Sequence, residues 1–162
     1  SVKLVKNSVV LEELVDSVIS KLKKRYPDQS IVLDIPDEFI IVYADAILIE
    51  QVLLNLLENA VQHAEGMTEL KLNVRQDGNR VIFEVEDNGC GLTKEKLKNI
   101  FAVSTVDDSY VSDGHKRNMG IGLSVCSAIV KAHGSSINAS VKRGGGMIFS
   151  FLLESEEVYD GQ

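Results

Sequence analysis

Apolar residues recur along this chain in two periods, and the switches between them mark out the elements. Over residues 9–25 the apolar positions Val10, Leu11, Leu14, Val15, Val18, Ile19 and Leu22 fall on one broad face, which predicts a helix that Tyr26–Pro27–Asp28 ends. Two β-rich runs follow, 30–35 (SIVLDI) and 39–43 (FIIVY), separated by Pro36 and Asp37. Asp45 suits the N-cap of the longest helix, 46–64, and Gly66 suits its stop. Alternating runs at 69–75 and 80–86 flank Gln76–Asp77–Gly78–Asn79, a hairpin signal. Thr93 can cap a short helix, 94–100. A polar stretch, 104–118, reads as a loop, and loops of that length inside a compact domain are usually lids or lack fixed structure. A second amphipathic helix, 120–133, precedes strands 136–141 and 147–153, joined across Gly144–Gly146.

This order predicts an α+β, two-layer sandwich: a mixed sheet of about five strands packed on three helices. The domain is expected to span 1–153, and the acidic tail 154–162 is expected to fray.

With 162 residues the chain is one domain, long enough to bury about 70% of its unfolded surface without disulfides or a structural metal. Its two cysteines, Cys90 and Cys126, lack CxxC spacing and read as small buried hydrophobes of a reducing compartment. His63, His115 and His133 are scattered without zinc-ligand spacing. A net charge of −7 argues against nucleic acid as a partner. No run approaches the roughly 20 apolar residues of a membrane span, and no signal peptide is recognisable. A cytoplasmic fragment without membrane contact is the expectation.

Four clusters carry candidate chemistry. In the long helix (QVLLNLLENAVQHA), Asn55 and Asn59 stand four apart, with Gln62 and His63 one turn on. Asparagine costs about 0.5 kcal/mol against alanine inside a helix, so a polar pair among leucines needs a compensating partner. Mg²⁺, a hard cation taking one or two protein oxygens plus phosphates and waters, would serve; so would bonds to a neighbouring segment. At the end of the second hairpin strand, Asp87 is followed by Gly89 and Gly91. A carboxylate there can accept from adenine's exocyclic amine and would repel guanine's carbonyl, although a plain Asx turn explains the pattern equally well. The run NMGIGLS, 118–124, places Gly120 and Gly122 at a helix start, where bare N–H groups suit phosphate, with Lys116 and Arg117 nearby as countercharge. It is neither a Walker A loop nor a dinucleotide fingerprint. The fourth cluster, GGGMIFSF, reads by itself as a flexible hairpin.

Taken in order, N-x-x-x-N, D-x-G-x-G, G-x-G-L-S and a glycine turn with its strand resemble the N, G1 and G2 boxes of the GHKL superfamily. The likeness is greatest to the catalytic domain of sensor histidine kinases, and it covers about residues 11–153. The 119–133 run with its His–Gly–Ser ending is similar to potassium-sensing and related osmosensor kinases.

The resemblance implies the Bergerat ATP-binding fold, with ATP and Mg²⁺ as ligands. It places the metal on Asn59 and the adenine contact on Asp87, in a pocket shaped by Gly89, Gly91 and Leu92. It sets Gly120, Gly122 and Leu123 beside the phosphates, at the hinge of a mobile lid of about 102–119. Phe101 matches the aromatic of the F box. Gln62 and His63 stand where the family often has a basic residue and an aromatic, which shifts phosphate neutralisation toward Lys116 or Arg117. GHKL hydrolases and serine kinases usually carry a glutamate base where Asn55 stands. An amide cannot take a proton at neutral pH, so the resemblance favours transfer to histidine, with Asn55 and Asn59 as the catalytic pair. The family's acceptor histidine precedes an acidic residue, whereas His63, His115 and His133 precede Ala64, Lys116 and Gly134. The implied acceptor therefore lies on an upstream dimerisation and phosphotransfer domain. A response regulator and a homodimeric, membrane-associated whole protein are implied with it. A GHKL serine kinase or ATPase, or a non-catalytic nucleotide-sensing module, are the alternatives.

Overall fold

The structure, a computed structural model, describes residues 2–101 and 117–156, with the backbone alone for 117–121. In chain order the elements are β1 (Asn7–Val10), α1 (Leu11–Arg25), β2 (Val32–Asp34), β3 (Ile41–Ala44) and α2 (Ala46–His63). They continue with β4 (Leu70–Asp77), β5 (Arg80–Asp87), α3 (Lys94–Lys98), α4 (Arg117–Ala132), β6 (Asn138–Val141) and β7 (Met147–Glu156). The strands form one mixed sheet in the order β1-β3-β7-β5-β4-β2, and β6 also pairs with β7. Only β2 and β4 run parallel among the described pairs.

The sheet is two-layered because its strands alternate. Leu70, Leu72 and Val74 of β4, Val81, Phe83 and Val85 of β5, and Met147, Phe149, Phe151 and Leu153 of β7 are all buried on the helix side. Phe83 and Phe151 stack with centroids 5.0 Å apart in a register pair. Six residues of α1 and seven of α2 cover this face, joined by Leu123, Cys126, Ile129 and Val130 of α4. The expected two-layer sandwich is thus the fold, with seven strands among the described residues rather than about five.

The differences have local causes. Val9 and Val10 belong to β1 and not to the helix, because they pair with Val42 and Ile41 of β3. The helix begins at Leu11, whose N–H donates to Ile40 O at 2.9 Å. Residues 154–156 lie in β7 and not in the tail, because Ser155 and Glu156 pair with Val42 and Ile41. Thr93 caps α3 as expected, its hydroxyl accepting from Lys96 N–H, but the helix stops at Lys98. The α4 helix opens at Arg117, so the lid expected at 102–119 overlaps it; the rest of that segment, 102–116, and the tail 157–162 lie outside the described residues.

Caps fix the helix ends. Asp45 is buried and its Oδ1 accepts from Leu48 N–H at 3.2 Å, which makes it the N-cap of α2. Its Oδ2 accepts from Val5 N–H at 3.0 Å, and its own N–H donates to His133 Nε2 at 3.0 Å. The other ring nitrogen of His133, Nδ1, lies 2.8 Å from Ile129 O and donates to it. The α4 helix ends in a Schellman motif: Ser135 N–H reaches Val130 O, Gly134 N–H reaches Lys131 O, and Gly134 takes φ 83°. One aspartate therefore ties the leading segment, the start of α2 and the end of α4 together.

Replacing Asp45 with alanine removes the cap and strands the Val5 N–H, and it should lower unfolding free energy by about 1–2 kcal/mol. Urea unfolding followed by circular dichroism would measure this, with the slope against denaturant unchanged.

Candidate functional site

The C-terminal half of α2, the end of β5, the loop after it and the first residues of β7 line an open cleft. Asn59, Ala60, His63 and Ala64 form the helix wall; Asp87, Cys90, Gly91 and Leu92 form the loop wall. Ile100, Met147 and Phe149 complete it with apolar surface. Such a cavity, mostly apolar with a few convergent polar groups, is how small-molecule sites are built.

Asp87 is the last residue of β5 and is 5% exposed. Its Oδ1 accepts from Gly89 N–H at 2.9 Å, so the Asx turn left open by the sequence is present. The second oxygen has no donor among the described residues, which leaves one acceptor for a ligand. Asn88, next along, locks the loop to the chain after α2: its Oδ1 accepts from the N–H groups of Thr68 and Glu69 at 2.8 Å, and its Nδ2 donates to Thr68 Oγ1 at 2.7 Å. Cys90 N–H donates to Glu65 O at 3.0 Å. Gly89 is needed for closeness: a β-carbon there would sit 2.9 Å from Ala64 Cβ. The loop is therefore a pre-shaped edge.

The polar stripe of α2 divides in three. Asn59 and His63, one turn apart, line the cleft together. Asn55 faces α4 instead, its Nδ2 donating to Cys126 Sγ at 3.6 Å. Gln62 is exposed, and its Nε2 donates to Tyr26 Oη at 2.7 Å, on the side of α1. Of the expected nucleotide contacts, the cleft gathers Asn59, His63, Asp87, Gly91 and Leu92, with Gly89 directly behind. It does not gather Asn55 or Gln62, because a 100° step per residue carries them onto neighbouring faces.

Lys116 lies outside the described residues. Arg117 and Gly120 fall in the first turn of α4, where only the backbone is described. Gly122 has open space where a β-carbon would be, and Leu123 is buried in the core at 2%. Phe101, half-buried, meets Phe149 edge-on at 6.1 Å.

The sequence reading missed the apolar half of the site: Ala60, Ala64, Ile100, Met147 and Phe149. The alternation of β7 signals that Met147 and Phe149 share the core face, but periodicity does not distinguish a core wall from a cleft wall. Cys90, expected to be buried, is exposed at the cleft; Cys126 is buried as expected. Burial pushes the Cys126 thiol up to about 11, against the opposing pull of the Asn55 hydrogen bond.

No group of three or more His, Cys, Asp or Glu among the described residues could hold a metal ion by itself. The amide oxygen of Asn59 is one hard donor in a cleft, a set that suits a cation sharing its coordination with phosphate oxygens and water.

Residues 44–157 match the family described as histidine kinase-, DNA gyrase B- and HSP90-like ATPases. The sensor protein KdpD of Clostridium acetobutylicum is 35% identical over 154 residues, which is 95% of this chain and 17% of that protein. The chain thus spans about a sixth of the length of that relative. Among solved structures, full-length ShkA in complex with AMPPNP gives a TM-score of 0.76 at 25% identity, covering 97% of this chain and 33% of the other. The histidine kinase ThkA in complex with the response regulator TrrA gives 0.75 at 24%, covering 93% of this chain and 42% of that one.

The two thiols should differ sharply in reactivity. A mild alkylating agent at pH 8 is expected to label Cys90 readily and Cys126 only after denaturation, since the thiolate is the reactive form. Mass spectrometry of tryptic fragments would report the ratio; equal labelling in the folded state would contradict the packing described for α4.

Proposed function

The chain belongs to the family of histidine kinase-, DNA gyrase B- and HSP90-like ATPases, and from that premise we propose that it is the ATP-binding catalytic domain of a two-component sensor histidine kinase. The observation that carries the reading is the convergence of Asn59 and Asp87 on one cleft from two different elements, a helix and a strand end. The likeness to KdpD supports a sensor kinase over other branches of the family. The AMPPNP complex of ShkA supports an adenine nucleotide as the ligand.

The chemistry follows from the groups present. The base enters the apolar part of the cleft, where Ile100, Met147 and Phe149 exclude water. The unused oxygen of Asp87 accepts from the exocyclic amine, and a guanine carbonyl in the same place is repelled. Asn59 then lies on the phosphate side, where its amide oxygen would hold Mg²⁺ together with the nucleotide. Bound there, the ion offsets the charge of the phosphate oxygens. The first turn of α4, which carries Gly120, offers its leading N–H groups to the same phosphates, whereas Gly122 lies inside the helix, where its N–H is committed to the preceding turn. Asp87 is the one carboxylate among the described lining residues, and Asn55 is bonded to Cys126. Neither is placed to activate water, which favours an imidazole acceptor that needs no base.

The acceptor histidine belongs, on this reading, to an upstream dimerisation domain, and the phosphoryl group passes onward to a response regulator, the class of partner seen with ThkA. A homodimeric, membrane-associated whole protein fits the same proposal. Among the described residues no helix is long and apolar enough to cross a membrane.

Two measurements test the reading. Asn59→Ala should weaken Mg²⁺-dependent ATP binding by about tenfold or more in calorimetric titration, while binding of ADP without metal changes little. Unchanged Mg²⁺-dependent binding would remove the metal role. Incubation of the chain with γ-labelled ATP and a separately produced histidine-bearing helical hairpin should give acid-labile, base-stable label on the hairpin. Rapid ATP hydrolysis by the chain alone, with no transfer, would point to an ATPase instead.

A further inference from the structure

The glycine turn between β6 and β7 has a geometry that flexibility does not explain. Gly144, Gly145 and Gly146 all take positive φ, at 93°, 114° and 103°. Their surroundings differ in a graded way. A β-carbon on Gly144 would meet nothing within 4 Å, and one on Gly145 would lie 3.3 Å from the Gly89 carbonyl oxygen. On Gly146 it would lie 2.0 Å from the carbonyl oxygen of Asp87 and 2.9 Å from Cα of Asn88. The turn is also closed on itself: Lys142 N–H donates to Gly146 O at 2.9 Å, and Gly145 N–H donates to Lys142 O at 3.1 Å.

The loop bearing Asp87 is thus held between two walls. On one side stands the end of α2, touching Gly89 and bonding Cys90. On the other stands the backbone of the glycine turn, which also approaches Gly91, where a β-carbon would lie 3.3 Å from Gly146 O. We propose that Gly146 is a positioning residue for purine selection: its bare α-carbon lets the turn sit directly behind the main chain of Asp87 and so sets where the carboxylate meets the base, a role that rests on Asp87 being the purine contact. Any side chain at 146 must displace the Asp87 backbone by about 1.4 Å to reach ordinary contact at 3.4 Å, and a misplacement of even about 1 Å can cost on the order of a hundredfold where geometry is critical. Because Asp87 Oδ1 is bonded to Gly89 N–H, the carboxylate moves with its loop. The loss then falls on discrimination between purines as well as on affinity. A displaced carboxylate meets the adenine amine poorly and repels the guanine carbonyl less.

The graded series supplies its own control. ADP and GDP are titrated calorimetrically against Gly144→Ala, Gly145→Ala, Gly146→Ala and Asp87→Asn. Gly144→Ala carries the backbone strain without the contact, and should lower the melting temperature while leaving the ADP-to-GDP affinity ratio within about twofold of the parent. Gly146→Ala should weaken ADP by about tenfold or more and bring the ratio toward one, with Gly145→Ala between the two. The Gly89 amide resonance should shift in the same order. If Gly146→Ala fails to fold, Gly145→Ala decides: a reduced ratio supports the proposal, and a ratio equal to that of Gly144→Ala overturns it. Asp87→Asn separates the two layers. If it leaves the ratio intact, the purine role of Asp87 fails and the proposal falls with it. If it collapses the ratio while Gly146→Ala and Gly145→Ala preserve it, only the positioning role is wrong.

Discussion

A carboxylate at 5% exposure is costly unless its hydrogen bonding is arranged, and the site is built around meeting that condition halfway. Asp87 spends one oxygen on Gly89 N–H and keeps the other for a ligand. To aim that second oxygen at the cleft, the surrounding backbone must hold still. The hydrogen bonds of Asn88 to the chain at 68 and 69, the Cys90 bond to Glu65 and the packing against α2 serve that end. The sheet contributes as well. Seven register pairs, from Arg80–Glu154 to Glu86–Ile148, align β5 along β7 and deliver Asp87 to the mouth of the cleft.

The second fixed point is α2, a helix with two obligations. Seven of its residues are buried in the core, while Asn59 and His63 project into the cleft. Both can hold because successive residues rotate by about 100°, so Asn59 and His63 lie about 40° apart, while Asn55 and Gln62 fall roughly 60–80° to one side of the direction those two share. Asn55 and Gln62 show the limit. The first ends on α4 through Cys126, and the second on Tyr26. Helical spacing identified the stripe as chemically loaded, yet which face each member presents depends on where α1 and α4 dock. That information lies in contacts distant along the chain.

Much of the fold was nonetheless legible. Caps at Asp45 and Thr93 and the turn at Gly78 with φ 63° all followed from local chemistry. The failures share a cause. Val9 and Val10 satisfy a helical pattern, but backbone pairing with β3 captures them as strand. Glu154, Ser155 and Glu156 look like a polar tail, yet Ser155 and Glu156 pair with β3 and close the sheet. In the candidate site the polar members announced themselves and the apolar ones did not. Met147 and Phe149 differ from Phe151 and Leu153 only in what lies opposite them. The glycine turn was the most underread feature, since three glycines in a row suggest looseness and here permit contact.

The topology also dictates when this domain can become itself. The last strand in the described chain, β7, is the one that joins β1 and β3 to β5, β4 and β2. Until it emerges from the ribosome, the two parts of the sheet have nothing to bridge them, and the wall formed by Met147 and Phe149 does not exist. Vectorial synthesis therefore leaves Asn59 and Asp87 exposed on an unfinished scaffold. The complete cleft can therefore exist only once β7 has closed the sheet.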